Sequence, residues 1–291
     1  MAETPEFTHD TIAMVYDFDG TLSPQPMQEY TVLPKLDIKP DNFWAEVNRE
    51  TAATASESML VYMRLLIEKA EERKIHIGPD DFRAMGKSIQ YFPGVEGWFD
   101  RINHYIALQS DARINVKHYI ISAGIKEILE GTTIKNHFQC IYASEYHFDH
   151  HGVAKFPKLL ITDTSKTQYL FRINKGKEDL NETINEHMPE AQRPIPFANM
   201  IYIGDGLTDV PSMAVARNNQ GHSIAVYNAD SPKALQVCKD LLVANRAHFI
   251  APADYREDSD LDKRVRLLLR AVITNIEYQR ELFICGGEHG L

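Results

Sequence analysis

The sequence of 291 residues predicts an α/β protein with a parallel sheet core and an inserted all-helical domain. Apolar runs of strand length alternate with amphipathic stretches along most of the chain, which is typical of a parallel sheet with helices on both faces. One long segment after the first run has helical spacing and no strand pattern. Two of the runs end in aspartates beside glycines, at the sheet edge where such proteins place their ligands.

Short apolar runs predict the strands, because residues that suit a sheet core dominate them. These runs cover 12–17, 116–122, 138–144, 199–204, 222–227 and 247–251. Helical spacing predicts helices at 125–129, 167–173, 210–216, 231–242 and 261–282. The last helix has a stripe that we expect to be buried, formed by Val265, Leu268, Leu269, Val272 and Ile276.

The helical segment lies between the first and second strands, from Met27 to Phe92. Shorter helices are expected at 41–54 and 79–91, and a further helix is indicated by the stripe Leu60, Met63, Ile67 and Ala70. Pro93-Gly94 marks the return to the sheet. We therefore expect an α/β core domain of residues 1–26 and 93–291, and a helical cap domain of residues 27–92. An insertion at this point would sit above the reactive sheet edge and could act as a lid.

The first strand ends in Asp17-Phe18-Asp19-Gly20-Thr21. Both carboxylates can face one side of the loop, Gly20 permits a sharp turn, and Thr21 adds a hydroxyl group. One carboxylate can attack phosphorus, while the other protonates the leaving oxygen and later activates water. In isolation, the same pair is equally compatible with helix capping.

The fourth strand leads into Gly204-Asp205-Gly206-Leu207-Thr208-Asp209. A dinucleotide loop is disfavoured, because the third glycine of that motif would fall on Asp209, where a carboxylate would repel pyrophosphate. Asp205 and Asp209 are hard oxygen donors suited to Mg²⁺, although Asp209 could also cap the helix that contains Pro211. With Asp17 and Asp19 they place four carboxylates at one sheet edge, which predicts a cation there.

Two further elements complete a predicted phosphate site. Ser122-Ala123-Gly124 places a hydroxyl and small residues between a strand and a helix, the arrangement that binds phosphate oxygens, although a simple helix cap is an alternative. Lys166 opens a helix and can supply a point charge to the phosphoryl group. Lys158 competes for this role, but strand-like residues follow it, whereas a helix follows Lys166.

In this order the motifs resemble those of the haloacid dehalogenase-like superfamily, in particular its phosphoserine-phosphatase-like branch. The resemblance spans nearly the whole chain, and it implies a Rossmann-like core, a helical cap and a magnesium-dependent aspartyl-phosphate mechanism. It implies that Asp17 is the nucleophile, Asp19 the general acid and base, and Asp205 a metal ligand. Ser122 and Lys166 would contact the phosphate, and Asp209 would support the metal shell or Lys166.

Charge balance leads independently to metal dependence. Four ionised carboxylates carry about four negative charges, and Mg²⁺, Lys166 and a proton on Asp19 together offset them. A phosphate dianion can enter only a site that is close to neutral, because the protein interior screens charge poorly. The predicted cofactor is therefore Mg²⁺, and the predicted partner is a small phosphorylated substrate.

Several activities remain open on this scaffold. A dehalogenase has no need of Asp19, since halide leaves without a proton, whereas cleavage of a phosphate ester gains from it. A phosphomutase would share all the motifs. A receiver-like module that only accepts phosphate is a non-enzymatic alternative, against which the cap and Asp19 both argue.

The substrate is also left open by the sequence. Residues 122–130 resemble the corresponding stretch of pyrimidine 5'-nucleotidases, and Phe43, Trp44 and Tyr62 are available for a nucleotide to stack on. Their helical spacing, however, favours core packing for at least two of the three. An amino-acid phosphate would instead need charged cap residues, for which the candidates are Glu46, Arg49, Glu50 and Arg64.

Composition bounds the partners and the compartment. With 31 basic and 41 acidic residues, the net charge of -10 disfavours nucleic acid and anionic membranes as partners. No stretch is apolar for long enough to span a membrane, and the N-terminal residues lack a secretory pattern. The three separated cysteines fit reduced thiols, so a cytoplasmic protein is expected. The oligomeric state is not predicted.

Two local features are interpreted without a site. The pair His150-His151 before Gly152 is expected to form a hairpin turn, because no partner at metal-ligand spacing accompanies it. The polar stretch 175–196 is longer than a crossover helix needs, and the sequence assigns no role to it.

Overall fold

A computed structural model describes residues 6–110 and 113–288, so the ends of the predicted core domain, at residues 1–5 and 289–291, lie outside the described residues. Its centre is a seven-stranded sheet in the order β4-β3-β2-β1-β5-β6-β7. The strands are β1 (Thr11–Tyr16), β2 (Asn115–Ile125), β3 (Phe138–Phe148), β4 (Ala154–Leu159), β5 (Met200–Gly204), β6 (His222–Tyr227) and β7 (Phe249–Pro252). All neighbouring strands pair in parallel except β4, which is antiparallel to β3. The predicted α/β fold is confirmed.

Helices fill the connections between the strands. Between β1 and β2 lie α1 (Met27–Tyr30), α2 (Val32–Lys35), α3 (Pro40–Thr54), α4 (Ser58–Glu72), α5 (Pro79–Gly86) and α6 (Val95–Gln109). The remaining helices are α7 (Lys126–Leu129), α8 (Lys166–Lys175), α9 (Val210–Asn218), α10 (Pro232–Val243) and α11 (Asp260–Glu288). No helix among the described residues combines the length and apolarity that a membrane span requires.

Alternating residues of β1 feed the two faces of the sheet, as expected for a strand covered on both sides. Met14 and Tyr16 pack with α6 and α11, whereas Ala13 and Val15 pack with α8, α9 and α10. The predicted stripe of α11 is buried in the first of these clusters. Both faces of β1 are therefore closed to solvent, and only its carboxyl end is free to carry a site.

The structure adds four elements that the sequence analysis misses: the short helices α1 and α2, the strand β4 and the helix α6. β4 is an edge strand with Pro157 inside it, and proline in a short run argues against a strand unless it lies at an edge. α6 follows directly after Gly94, whose φ of +84° turns the chain into the helix. Its buried residues Trp98, Phe99 and Ile102 do recur at helical spacing, so this helix was available to sequence reasoning.

The predicted stripe of α4 is partly wrong. Leu60 is 43% exposed, whereas Met63 and Ala70 are buried. The helix is rotated relative to the prediction, so that Val61 and Leu65 share its buried face. The predicted helix at 79–91 is also too long, because α5 ends at Gly86.

The hairpin between β3 and β4 contacts the inserted helices. The predicted turn at His150-His151 is present and is closed by the Asp149 amide, which donates to Val153 O at 3.0 Å. Ala154 N donates to Ile77 O at 3.1 Å, and Tyr146 OH donates to Met63 O at 2.9 Å. These bonds join the segment that precedes α5, and α4 itself, to the core sheet.

The polar stretch 175–196 has a 3-10 turn at Glu190–Gln192 and is otherwise irregular. Its carbonyl groups are held by cationic side chains. Arg172 donates to Lys177 O, Asp179 O and Glu182 O, and Lys175 donates to Ile184 O and Glu186 O. Backbone acceptors without strand partners need donors, and these cations supply them.

Candidate active site

The candidate site lies at the carboxyl ends of β1 and β5, which are neighbours in the sheet. Asp17 directly follows β1, and its amide donates to Ile203 O at 2.9 Å, which extends the pairing with β5. Asp205 directly follows β5. Parallel neighbours end at the same edge, so the two aspartates predicted from separate motifs lie together.

Lys166 connects the two motifs through buried ion pairs. Its Nζ lies 2.7 Å from Asp17 Oδ1 and 2.8 Å from Asp209 Oδ1. The lysine is only 1% exposed, and it is the first residue of α8. Lys158, the alternative considered from sequence, lies in β4 and pairs with Glu145 at 2.6 Å, away from these carboxylates.

Asp209 is fully buried and anchors its neighbours through both carboxylate oxygens. Its Oδ1 accepts hydrogen bonds from Lys166 and, at 2.7 Å, from Tyr202 OH. Its Oδ2 accepts the Asp205 amide at 3.1 Å. Asp209 therefore fixes both the lysine and the backbone of the second aspartate. It also occupies the N-cap position of α9, as the alternative from sequence expects, but its side chain makes no capping hydrogen bond.

Glycine is required at position 20 by the approach of Asp205. Gly20 has φ of +81°, a region that favours glycine. A Cβ atom there would lie 2.2 Å from Asp205 Oδ2, well inside van der Waals contact. The glycine of the first motif thus makes room for the carboxylate of the second.

Asp19 is set apart from this contact network. Its Oδ1 accepts the Met27 amide at 2.9 Å, at the start of α1. Burial, reinforced by the nearby charge of Asp17, raises the pKa of Asp19 to about 8. Without metal, this carboxyl group therefore carries a proton at neutral pH.

The other ionisable groups at the site also have shifted pKa values. Burial raises the pKa of Asp17, and Lys166 opposes that shift. Burial and the charge of Asp17 raise the pKa of Asp205 well above its usual range. Although burial alone would lower the pKa of Lys166, Asp17 and Asp209 hold it well above its usual range. The lysine therefore stays charged between its two partners.

Asp17, Asp205 and Asp209 form a group that we call the carboxylate cluster, with one oxygen from each lying within 4.8 Å of the others. Asp19, the fourth predicted ligand, is not part of this group. The carboxylate of Asp205 accepts no hydrogen bond from the described residues, so its oxygens are free for a ligand. Clustered carboxylate oxygens fit Mg²⁺, which takes hard oxygen donors.

The predicted phosphate-binding residues lie beside the cluster, within the last part of β2, because the strand continues to Ile125 and does not end at Ser122 as predicted. Ser122, Ala123 and Gly124 line the same cavity as Asp17. The Gly124 amide, however, donates to Ser122 Oγ at 3.0 Å, which leaves the serine hydroxyl proton free to donate elsewhere. Thr21 is fully buried, and its hydroxyl lies 3.4 Å from Asp17 Oδ2, so it contacts the aspartate and does not line the cavity.

The cavity above the cluster has a volume of about 500 Å³. Its wall on the side of the inserted helices is formed by Pro26, Gln28, Trp44, Met59 and Tyr62. Its other wall comes from the loop after β5 and from α10, and includes Leu207, Thr208, Ser231, Lys233 and Val237. The inserted segment therefore covers the reactive sheet edge.

Sequence reasoning places some cap residues correctly and others not. Trp44 and Tyr62 line the cavity, whereas Phe43 is buried in the apolar core. The charged candidates for an amino-acid phosphate lie elsewhere: Glu46 pairs with Lys69, Arg64 pairs with Glu50, and Arg49 is exposed. None of these charged residues lines the cavity.

Other site residues gave no sequence signal. Tyr202 lies within β5, where an aromatic residue suits the sheet core, yet its hydroxyl contacts Asp209. Gln28 follows the first motif at no spacing that indicates a ligand. Ser231 and Lys233 enter the cavity wall only because α10 packs beside β6.

Comparison with known proteins places this geometry in context. No family model matches the sequence. An uncharacterized protein of Borreliella burgdorferi is 27% identical over 276 aligned residues, covering 86% of this chain and 93% of that protein. Its name carries no activity over to this chain.

Solved structures resemble the fold at low sequence identity. A HAD family hydrolase of Salmonella enterica serovar Typhi aligns with a TM-score of 0.58 at 13% identity, over 90% of this chain and 72% of its own. A phosphoserine phosphatase, solved as a phospho-aspartyl intermediate analogue, aligns with a TM-score of 0.54 at 14% identity, over 89% of this chain and 99% of its own. The chain therefore has the fold of the haloacid dehalogenase-like hydrolases, including the phosphoserine phosphatases.

Proposed function

We propose that the protein is a Mg²⁺-dependent phosphomonoesterase that cleaves a small phosphorylated substrate through a phosphoryl group on Asp17. The observation that carries this proposal is that Lys166 Nζ lies 2.7 Å from Asp17 Oδ1 and that a second carboxyl group, Asp19, lines the same cavity. Burial raises the pKa of Asp19, which supports its role as the acid. Two carboxyl groups with different protonation states supply a nucleophile and a general acid in one site.

In the first step, Asp17 attacks the phosphorus atom and the bond from phosphorus to the ester oxygen breaks. Lys166 occupies Oδ1, so Oδ2, whose hydrogen bond to Thr21 is long at 3.4 Å, is the attacking oxygen. Asp19 gives its proton to the departing oxygen. Ser122 donates its free hydroxyl proton to a phosphoryl oxygen.

In the second step, Asp19 takes a proton from water, and the water oxygen attacks the phosphoryl group on Asp17. Inorganic phosphate leaves, and both aspartates return to their starting states. Lys166 keeps its charge throughout and offsets negative charge on the phosphoryl oxygens. No other co-reactant is needed.

Mg²⁺, when bound, would offset the negative charge of the site and of the phosphoryl oxygens. Asp17 and Asp205 would hold it, because no described residue donates a hydrogen bond to the Asp205 carboxylate. We assign Asp209 to positioning Lys166 and the Asp205 backbone, since both of its oxygens already accept hydrogen bonds. We assign Asp19 to proton transfer and not to the metal, since it lies outside the carboxylate cluster.

The proposed setting is the cytoplasm, and the proposed partner is a small metabolite. Cys140, Cys238 and Cys285 are all free thiols, which fits a reducing compartment. A cavity of about 500 Å³ fits a small molecule.

Hydrolysis of p-nitrophenyl phosphate tests the proposal. The purified protein should release phosphate with Mg²⁺ and lose that activity when a chelator is added. Asp17→Asn should lower turnover by about 10³-fold or more, because an amide is a poor nucleophile. The matched control is Asp163→Asn, an exposed aspartate near Lys166, which should keep full activity. Full activity in Asp17→Asn, or indifference to the chelator, would contradict the proposal.

A further inference from the structure

The end of the cavity that would face the leaving group has an uncharged wall. It is formed by Pro26, Gln28, Trp44, Met59 and Tyr62. Pro26 directly precedes the inserted segment, and the other four residues belong to it. Two of these residues are aromatic, and Met59 adds a polarizable thioether. Such a wall favours a flat, apolar occupant.

The two aromatic rings are held in fixed positions. Trp44 donates its indole N–H to Glu29 Oε1 at 2.8 Å, and its ring packs at an angle against Phe43 at 5.1 Å and Tyr62 at 6.0 Å. Tyr62 in turn donates to Ala123 O at 3.0 Å. Because these contacts already order the side chains, an incoming ring would lose little affinity to ordering them.

Charged recognition groups are absent from this wall. Arg64 donates to Glu50 and Glu68, and Glu46 pairs with Lys69 at 3.0 Å, all away from the cavity. Lys233, an exposed residue of α10, is on the opposite wall. The carboxylate of an amino-acid phosphate would therefore find no cation among the inserted residues that line the cavity, and removing it from water would be unfavourable.

We infer that the leaving group of the substrate is an uncharged aromatic ring that packs on the half-buried side chains of Trp44 and Met59. This inference rests on the proposed phosphomonoesterase activity and names the substrate class of that site. The phosphoryl group would lie at Asp17, and the ring would lie against the wall formed by the inserted segment.

A pair of substrates with matched leaving groups tests the aromatic preference. Benzyl phosphate and cyclohexylmethyl phosphate both release an alkoxide and differ mainly in the aromaticity of the ring. With Mg²⁺, kcat/KM should be about 2- to 10-fold higher for the benzyl ester, the advantage expected of an aromatic contact. It should also be higher than for O-phospho-L-serine. Equal values for the two ring esters, or a preference for phosphoserine, would overturn the inference.

Variants assign the preference to the cavity wall. Trp44→Leu should bring the ratio of the two kcat/KM values close to one. Phe82→Leu is the matched control, since it removes a buried ring of the inserted helices that does not line this cavity, and it should keep the ratio. Loss of the preference in both variants would show that it does not depend on Trp44.

Failure of the proposed function is separable from failure of this inference. If no ester is hydrolysed, the phosphatase proposal fails. The preference for an aromatic ring can still be tested by measuring the binding of phosphonates that are not hydrolysed. Calorimetry on the Mg²⁺-loaded protein would then compare benzylphosphonate with cyclohexylmethylphosphonate. Tighter binding of the aromatic compound by about twofold or more supports the inference, and equal binding contradicts it.

Discussion

Two buried sets of polar side chains lie next to each other at the end of β1, one uncharged and one acidic. Behind the strand, Trp98 Nε1 donates to Tyr16 OH at 3.0 Å, Tyr16 lies 3.0 Å from His118 Nδ1, and His118 Nε2 lies 2.8 Å from Asn103 Oδ1. We call these residues the neutral chain. Beyond the strand, one residue further along, Asp17 begins the carboxylate cluster.

The neutral chain is complete. An indole N–H can only donate, so Tyr16 accepts from Trp98 and donates its own proton to His118 Nδ1. His118 Nε2 then carries the proton that Asn103 Oδ1 accepts. Burial, assisted by the nearby His137, lowers the pKa of His118 to about 3, so the chain stays uncharged at neutral pH.

In the carboxylate cluster, by contrast, not every polar group has a hydrogen-bond partner within the part of the chain that the structure describes. One buried lysine faces the acidic groups of Asp17, Asp205 and Asp209, and Asp205 accepts no hydrogen bond from the described residues. A closed neutral chain stabilises a fold, whereas an acidic cluster with free oxygens is arranged for a ligand. The difference predicts which substitutions affect turnover and which affect stability.

Among substitutions outside the reacting side chains, the largest effect is expected from Gly20→Ala. The added Cβ would collide with Asp205 Oδ2, and the positive φ would be strained. We expect turnover to fall by about 10²-fold and the rise in Tm caused by Mg²⁺ to shrink, since both depend on the position of Asp205.

Gly206→Ala is the control for this substitution, because a Cβ there meets no atom within 4 Å. It should keep turnover within a few-fold of the unaltered protein. Equal losses of turnover in the two variants would show that the contact between Gly20 and Asp205 does not determine activity. Turnover and thermal unfolding with and without Mg²⁺ measure both.

An intermediate effect, on stability, is expected from Tyr16→Phe. The substitution removes the acceptor of Trp98 and the donor of His118, leaving two buried groups without partners. We expect a loss of about 1–3 kcal/mol in the free energy of unfolding, with turnover changed by only a few-fold. Urea denaturation and a kinetic assay measure the two quantities.

Tyr105→Phe serves as the comparison for that loss. Tyr105 lies on α6, the helix that carries Trp98, and its hydroxyl reaches Arg266 O at a long 3.5 Å. Removing this hydroxyl should change the free energy of unfolding only slightly. If Tyr16→Phe is as stable as Tyr105→Phe, the neutral chain does not stabilise the fold as described.

The smallest effect is expected in the pH dependence of folding stability. Because the pKa of His118 in the folded protein is below its value in the unfolded chain, the unfolded chain binds the extra proton between about pH 6.5 and pH 3. Stability present above pH 6.5 is therefore lost as the pH falls, by up to about 1.4 kcal/mol per pH unit. His118→Asn should have a shallower decline than the unaltered protein, measured by urea denaturation at pH 7 and pH 5. Parallel declines would contradict the assignment.

Asp19 has the opposite effect on the pH dependence of the free energy of unfolding. The pKa of Asp19 in the metal-free folded protein is raised, so its contribution is present at low pH and is lost as the pH rises through about 8. The two sides of β1 therefore respond to pH in opposite directions.

The sequence was sufficient for those parts of the site that depend on strand ends. Asp17, Asp205, Ser122 and Lys166 all occur where a strand or helix boundary could be recognised, and the parallel sheet brings such boundaries to one edge. Lys166 was preferred over Lys158 because a helix follows it, and the structure places it between Asp17 and Asp209.

Packing determines the parts that the sequence could not provide. Tyr202 and Gln28 acquire their positions from the meeting of elements far apart in the chain, and neither stands at a motif spacing. The rotation of α4 is another case, because Leu60 fits a helical stripe in sequence but the neighbouring Val61 faces the core. Periodicity indicates that a helix has an apolar face, and the helix's partners decide which residues form it.

Detection of a phosphoryl group on Asp17 tests the central claim most directly. In Asp19→Asn, p-nitrophenyl phosphate should still phosphorylate the protein, because its leaving group needs little help from an acid, while hydrolysis should slow by about 10²-fold without the base. Peptide mass spectrometry after acid quenching should then find one phosphoryl group on Asp17. Continued turnover with no phosphoryl group on Asp17, or a phosphoryl group on another residue, would contradict the account.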